Sequence, residues 1–86
     1  MNEDQAERRM RLLDLPPGVA ARLCGDSGGG DGHARLAEMG FVPGTLLRIV
    51  RAAPLGDPVE IEIRDTRVCA RRADLREFFV TPEENG

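Results

Sequence analysis

The segment Ala37–Ile61, AEMGFVPGTLLRIVRAAPLGDPVEI, restricts the possible folds of this chain more than any other part of it. Gly40 suits the left-handed conformation that ends a short helix, and Pro43-Gly44 predicts a turn soon after it. Pro54 and Pro58 have no backbone N–H to donate, so they bracket a rigid connection rather than the middle of a strand. Few small folds need a helix end, a turn into a strand and a rigid connection within 25 residues.

Short strands dominate the rest of the predicted structure. Branched residues fill Leu46–Ala52, and Val59–Arg64 alternates apolar and charged residues, which is the period of a half-buried strand. Further strands are expected at Val19–Cys24, Arg67–Arg71 and Phe78–Val80, with a helix capped by Asp31 over His33–Met39 and a helical turn over Ala73–Glu77. Closing a small barrel removes exposed strand edges. We therefore predict a mainly β fold, a small five-stranded SH3-like barrel with one short inserted α-helix and a helical turn before the last strand.

Two local contacts are predicted in detail. At the end of the helix, Phe41 is expected to pack back against Leu36, as in a Schellman motif. In the hairpin, Asp65-Thr66 is expected to form the two-residue turn. Ile63 would then face Val68 on the buried side of the sheet.

Length and composition predict one domain with a small, aliphatic core. The chain has 86 residues, of which 41% are hydrophobic, and domains of this size bury only about 60% of their unfolded surface. We place the domain at residues 12–80, between flexible polar tails at 1–11 and 81–86. No secretory signal or membrane span is recognisable, and the two cysteines lie 45 positions apart. These features predict a cytoplasmic protein with reduced thiols and no direct membrane insertion.

The charge pattern argues against a nucleic-acid partner and against catalysis. Twelve basic residues stand against fifteen acidic ones, for a net charge of −3. The arginines near the C-terminal end are interleaved with acidic residues and lack aromatic stacking partners. We find no nucleophile–base pair and only one histidine, so we predict that the protein is not an enzyme. Self-association through an edge strand stays open, so a homo-oligomer is allowed.

Four motifs resemble the FeoA family, the small cytosolic accessory proteins of bacterial ferrous-iron transport. They are Leu15–Gly18, Arg35–Phe41, Pro43–Thr45 and Ala53–Pro58. The second and fourth motifs at this spacing are the specific ones. The chain departs from the family pattern at Asp65, where the hairpin turn usually has glycine, and in the glycine-rich loop Gly25–Gly32.

The resemblance implies a function beside a membrane transporter. It implies an SH3-like barrel that acts as a non-enzymatic accessory or regulatory protein and binds the cytoplasmic part of FeoB, a GTPase transporter of ferrous iron. Two alternatives are a regulatory module related to the C-terminal domain of metal-dependent repressors, and a protein that binds Fe²⁺ directly. The candidate partner-binding residues are Met39, Phe41, Leu55, Gly56 and Asp57. A core position is the favoured interpretation for the three apolar ones, and Leu55 is the one most expected at the surface.

Metal ligands are few and scattered. A closed transition-metal site normally needs three or four ligands at defined spacing, whereas the chain offers only His33, Cys24 and Cys69 as soft or borderline candidates. We predict no resident cofactor. Weak binding of Fe²⁺ or Zn²⁺ at His33 or Cys24 stays open, and a solvated surface histidine is the favoured interpretation of His33.

Overall fold

Six short strands form one antiparallel sheet in the computed structural model, which describes residues 8–25 and 31–83. The strands are β1 (Met10–Arg11), β2 (Ala21–Leu23), β3 (Leu46–Ala52), β4 (Val59–Ile63), β5 (Thr66–Ala70) and β6 (Phe79–Pro82). The helices are α1 (Asp31–Glu38) and α2 (Arg72–Leu75), and Leu12–Asp14 forms a 3₁₀ turn. The predicted mainly β class is confirmed. Asp31 and the loop at 26–30, for which we predicted a cap and a glycine-rich connection, lie outside the residues whose side chains are described.

The sheet has the order β1-β6-β2-β3-β4-β5, so the last strand lies beside the first two. Along β4 the buried residues alternate with partly exposed ones, as the period-two sequence pattern predicted. The inner face is aliphatic, with Leu47 and Ile49 of β3 packed among Ile61, Ile63 and other buried residues. The outer face of β3, β4 and β5 therefore carries the charged side chains.

The end of α1 has the predicted Schellman geometry. Gly40 lies in the left-handed region, with φ of +112°. Its N–H donates to the carbonyl oxygen of Ala37 at 3.1 Å, and the N–H of Phe41 donates to Leu36 at 3.1 Å. These two hydrogen bonds satisfy carbonyls that the end of a helix leaves free. They also direct the Phe41 side chain into the core, where only 1% of it is exposed.

The predicted hairpin register is wrong by two residues. The turn is Arg64-Asp65 rather than Asp65-Thr66, and Ile61, not Ile63, faces Val68. Because the shift is even, every side chain keeps its predicted face. The observed register also pairs Val59 with Ala70, whereas the predicted one would have left Val59 opposite an arginine. The pairing of apolar residues on the buried face of the sheet accounts for the observed register.

The sequence pattern predicted five strands, and the described residues contain six. The additional strand, β1, pairs with β6 and places Met10 opposite Val80. It lies in the stretch assigned to the N-terminal tail, and β6 runs on to Pro82. Two residues are too few to show an alternating pattern, so the sequence does not predict β1. The strand depends on its pairing with β6 and on the packing of Met10 against the core. Within the described residues, no helix is long and apolar enough to cross a membrane.

Candidate functional site

Leu55 is at the tip of the connection between β3 and β4, and 95% of it is exposed. The connection is braced by its own backbone: Ala53 N–H donates to the Pro58 carbonyl at 2.9 Å, and Gly56 N–H donates to the Ala53 carbonyl at 2.7 Å. Gly56 has a φ of +92°, a conformation that favours glycine. The loop therefore presents an apolar side chain to solvent on a defined backbone.

Asp57 and Gly56 attach this loop to α2. The Asp57 carboxylate accepts a hydrogen bond at 2.9 Å from the backbone N–H of Arg72, which is the first residue of that helix. The Arg72 guanidinium donates in turn to the Gly56 carbonyl at 3.3 Å. One of the amides that a helix start leaves without a partner is thus satisfied by the loop. Gly56 and Asp57 fix the position of Leu55 in this structure.

The other two apolar candidates are separate from Leu55. Phe41 is buried and packs on Phe78, with 5.5 Å between the ring centroids. Met39 is 45% exposed and lies next to Gly40, whose neighbour in space is Arg64 at the far end of β4 from the Leu55 loop. At about 3.4 Å per residue, the length of β4 separates the two ends by roughly 14 Å. The structure therefore does not bring Met39, Phe41 and Leu55 together into one apolar wall.

An open groove of about 480 Å³ lies beside the Leu55 loop, on the outer face of the sheet. We call it the loop groove, and it is lined by Arg51, Ala52, Ala53, Pro54, Pro58, Glu60 and Cys69. Neither Arg51 nor Glu60 was among the site residues predicted from the sequence. A bulge in β3 explains why, because the register with β4 shifts between Ile49 and Arg51. The bulge places Arg51, instead of Val50, opposite Glu60.

Glu60 is the centre of the charges in the loop groove. Arg67 Nη1 donates to one oxygen of the Glu60 carboxylate at 2.9 Å, and Arg51 Nε donates to the other at 2.9 Å. The hydrogen bonds from Arg67 and from Arg51 lower the pKa of Glu60 below its ordinary value, because they favour the charged form. A further pair, Arg48 with Glu62, continues this row of cross-strand ion pairs along the same face.

The candidate metal ligands lie in three different settings. The His33 ring stacks parallel on Phe78, with centroids 5.4 Å apart, and its buried Nδ1 has no hydrogen-bond partner among the described residues. His33 is thus half-buried rather than the solvated surface residue that we favoured, because α1 packs over Phe78. Cys24 is half-buried, with Sγ 3.5 Å from Thr81 Oγ1, and Cys69 is exposed in the loop groove. No group of three His, Cys, Asp or Glu side chains within 8–25 and 33–83 is placed to hold a metal ion.

Comparison with known proteins gives consistent matches. The FeoA domain model matches residues 10–82. A protein of Porphyromonas gingivalis, named as a fusion of Fe(2+) transport protein A with the Fe(2+) transporter FeoB, is 43% identical over 71 residues, which are 83% of this chain and 8% of that protein. The solution structure of iron(II) transport protein A from Clostridium thermocellum superposes with a TM-score of 0.76 at 38% identity, covering 85% of this chain and 45% of that one. The FeoA of Stenotrophomonas maltophilia, a procaryotic SH3 domain protein solved as a complex with zinc, gives a TM-score of 0.68 at 27% identity over 86% of this chain and 89% of its own.

Proposed function

The chain belongs to the FeoA domain family, and from this membership we propose that it is a non-enzymatic accessory protein of ferrous-iron transport. In this proposal it acts in the cytoplasm and binds the cytoplasmic part of a FeoB-type GTPase transporter. Ferrous iron is the cargo of the transporter rather than a resident cofactor of this chain.

The observation that carries the proposal is the fusion relative, in which a segment 43% identical to this chain is named as one polypeptide with the transporter FeoB. Fusing two modules keeps them at a high effective concentration, which is useful when the modules bind each other. This chain spans only 8% of the fusion protein. In the proposal this chain corresponds to the accessory module of that protein, and the transporter corresponds to the rest of it.

The Leu55 loop is the proposed contact with the transporter. Its apolar tip is 95% exposed, and the bonds from Gly56 and Asp57 hold the tip before any partner arrives. A partner that buries such a side chain gains its hydrophobic transfer free energy without first ordering the loop. Met39 is a second exposed apolar residue in this proposal, whereas Phe41 supports the surface from the core.

A chimera tests the proposal. This chain replaces the matching 71-residue segment of the Porphyromonas gingivalis fusion protein, and Fe²⁺ uptake is measured in cells that lack their own ferrous-iron transporter. We expect uptake near that of the natural fusion and well above that of a fusion from which the segment is deleted. Uptake no better than with the deletion, at equal expression and with the inserted domain folded, would contradict the proposal. Titration of the transporter's cytoplasmic region with the chain would measure the contact directly.

Weak metal binding at His33 is a second candidate role, supported by the zinc complex of the Stenotrophomonas maltophilia relative. The described residues do not supply the three or four ligands of a closed site, so the affinity should be low. Calorimetry with Fe²⁺ and Zn²⁺ on the wild type and on His33→Ala tests this role. Equal heats of binding for the two proteins would contradict it.

A further inference from the structure

The loop groove joins an apolar wall to a cluster of arginines. Ala52, Ala53, Pro54 and Pro58 supply the wall, and Leu55 follows Pro54 at the exposed tip of the same loop. Prolines and short aliphatic side chains have no polar atoms beyond the backbone, so this wall favours an aliphatic group of a ligand. The wall is held by the backbone bonds within the loop and needs no rearrangement to receive one.

Basic groups outnumber acidic ones around the loop groove. Arg51 and Arg67 both bind Glu60. Arg71 continues the outer face of β5 two residues after Cys69 and is exposed. The register of β4 and β5, extended by one pair, places it beside Pro58. Two of these three guanidinium groups bind Glu60, and the nearby Asp57 carboxylate accepts a hydrogen bond from the Arg72 N–H. The Arg71 side chain has no hydrogen-bond or salt-bridge partner within the described residues.

The Glu60 carboxylate orients two of these arginines and leaves most of their N–H donors available. Each guanidinium has five N–H donors, and Arg51 and Arg67 each direct one of them to Glu60 at 2.9 Å. The two side chains are 74% and 58% exposed, so their remaining donors are accessible from solvent. A planar guanidinium that is already held in place matches a carboxylate well, because it can donate two parallel hydrogen bonds. The arrangement is suited to a second, external carboxylate.

We propose that the loop groove binds a short acidic segment of a protein partner, with an aliphatic side chain packed between Leu55 and the prolines and carboxylates paired with Arg51, Arg67 and Arg71. Charge complementarity selects this occupant over a basic segment. The apolar wall selects it over a free anion, which would use the arginines alone. The inference rests on the proposed function only for the identity of the partner, which would be the transporter.

Peptide titration of the full chain, followed by ¹⁵N–¹H NMR, tests the inference. One probe is a capped peptide in which Asp and Glu residues flank a central leucine, and the other has Lys at each acidic position. We expect saturable shifts of the backbone amides of the non-proline residues in 51–57, of residue 60 and of residues 67–72, with the acidic peptide only. Leu55→Ser and Arg71→Glu should each raise Kd at least about tenfold, and higher salt should weaken binding.

Two matched variants control for general effects. Leu46→Ser removes another exposed leucine, 41% exposed and lining a separate depression with Ala20. Arg64→Glu makes the same charge change as Arg71→Glu at the far end of β4. Both should change Kd by less than about twofold, since Leu46 and Arg64 lie at the ends of β3 and β4 that are far from the Leu55 loop. Thermal unfolding of each variant checks that the fold is kept.

Several outcomes would overturn the inference. They are equal binding of the two peptides, shifts centred outside the loop groove, no shift at millimolar acidic peptide, or a larger effect of the control variants. Co-sedimentation with phosphatidylserine vesicles in place of peptide binding would assign the arginines to a membrane surface instead. Binding of the transporter's cytoplasmic region to the wild type and to the variants distinguishes this inference from the proposed function. If that region fails to bind while the peptide pattern holds, only the proposed function fails, and if it binds all the variants alike, only the inference fails.

Discussion

Arg64→Gly should stabilise the protein, because Arg64 is the one non-glycine residue with positive φ among those described, at +58°. A side chain in the left-handed region costs about 1–2 kcal/mol, and glycine removes that cost. Glycine also gives the unfolded chain more freedom, which offsets about 0.4–1 kcal/mol of the gain. The net expectation is a stabilisation of about 0.5–1 kcal/mol, or a rise in Tm of roughly 2–8 °C for a domain of this size.

The loss of the Arg64 side chain should subtract little from this gain. The side chain passes over Gly40, where an added Cβ would lie 3.4 Å from Arg64 Cδ, but it is exposed. Arg64→Ala measures the contribution of the Arg64 side chain by itself, since it removes the contact with Gly40 and keeps the backbone strain. We therefore expect Arg64→Ala to be within about 0.5 kcal/mol of the wild type in urea unfolding, and Arg64→Gly to be clearly more stable than both.

Asp65→Gly decides between the observed turn and the one that the sequence pattern predicted. In the observed register Asp65 does not have positive φ, so glycine there only adds freedom to the unfolded chain. The expected change is a loss of about 0.4–1 kcal/mol. If Asp65→Gly were stabilising and Arg64→Gly were not, the turn would be Asp65-Thr66, and the register described here would be refuted.

The remaining predictions concern the core, the charges and the thiols. Phe41→Ala should cost about 3–5 kcal/mol in urea unfolding because the ring is buried, whereas Leu55→Ala should stay within about 0.5 kcal/mol of the wild type; similar losses for both would contradict their placement. The pKa of Glu60 is lowered in the folded state, so the stability that this group contributes is present above the unfolded pKa and is lost as the pH falls through the folded one. Glu60→Gln should therefore lose less stability than the wild type between pH 7 and the acid range, and parallel stability–pH curves would count against the ion pairs. Cys69 is exposed and Cys24 is half-buried, so a maleimide should label Cys69 first in native protein, as peptide mass mapping can show.

The elements that were predicted correctly are those whose structure a single local signal determines. The bounds of the strand Leu46–Ala52 agree with the prediction, because branched residues between a Pro-Gly turn and a proline-containing loop leave few alternatives. The helix end at Gly40 was predicted for a similar reason, since one glycine determines both hydrogen bonds of the Schellman motif. The exposure of Leu55 was predicted from its position between Pro54 and Pro58.

The missed features depend on contacts between distant segments. Strand β1 has two residues and exists through its pairing with β6. The hairpin register depends on which apolar pairs meet on the buried side, and an alternating pattern allows either even register. The loop groove was missed because the bulge in β3 turns Arg51 toward Glu60. No residue type in that strand marks the bulge, since Val50 could have occupied the same pairing position.

The motifs that identify the family contain both buried residues that hold the fold and, in the Leu55 loop, exposed residues proposed to bind a partner. Gly40 and Phe41 are both buried, so substitutions there change stability and reduce any activity indirectly. Leu55 and Arg71 are exposed and contribute little to the fold. Substitutions at these two positions should alter binding at nearly constant stability. A loss of transport in a Gly40 or Phe41 variant would therefore say nothing about the contact surface, whereas a loss at Leu55 or Arg71 with unchanged Tm would locate it.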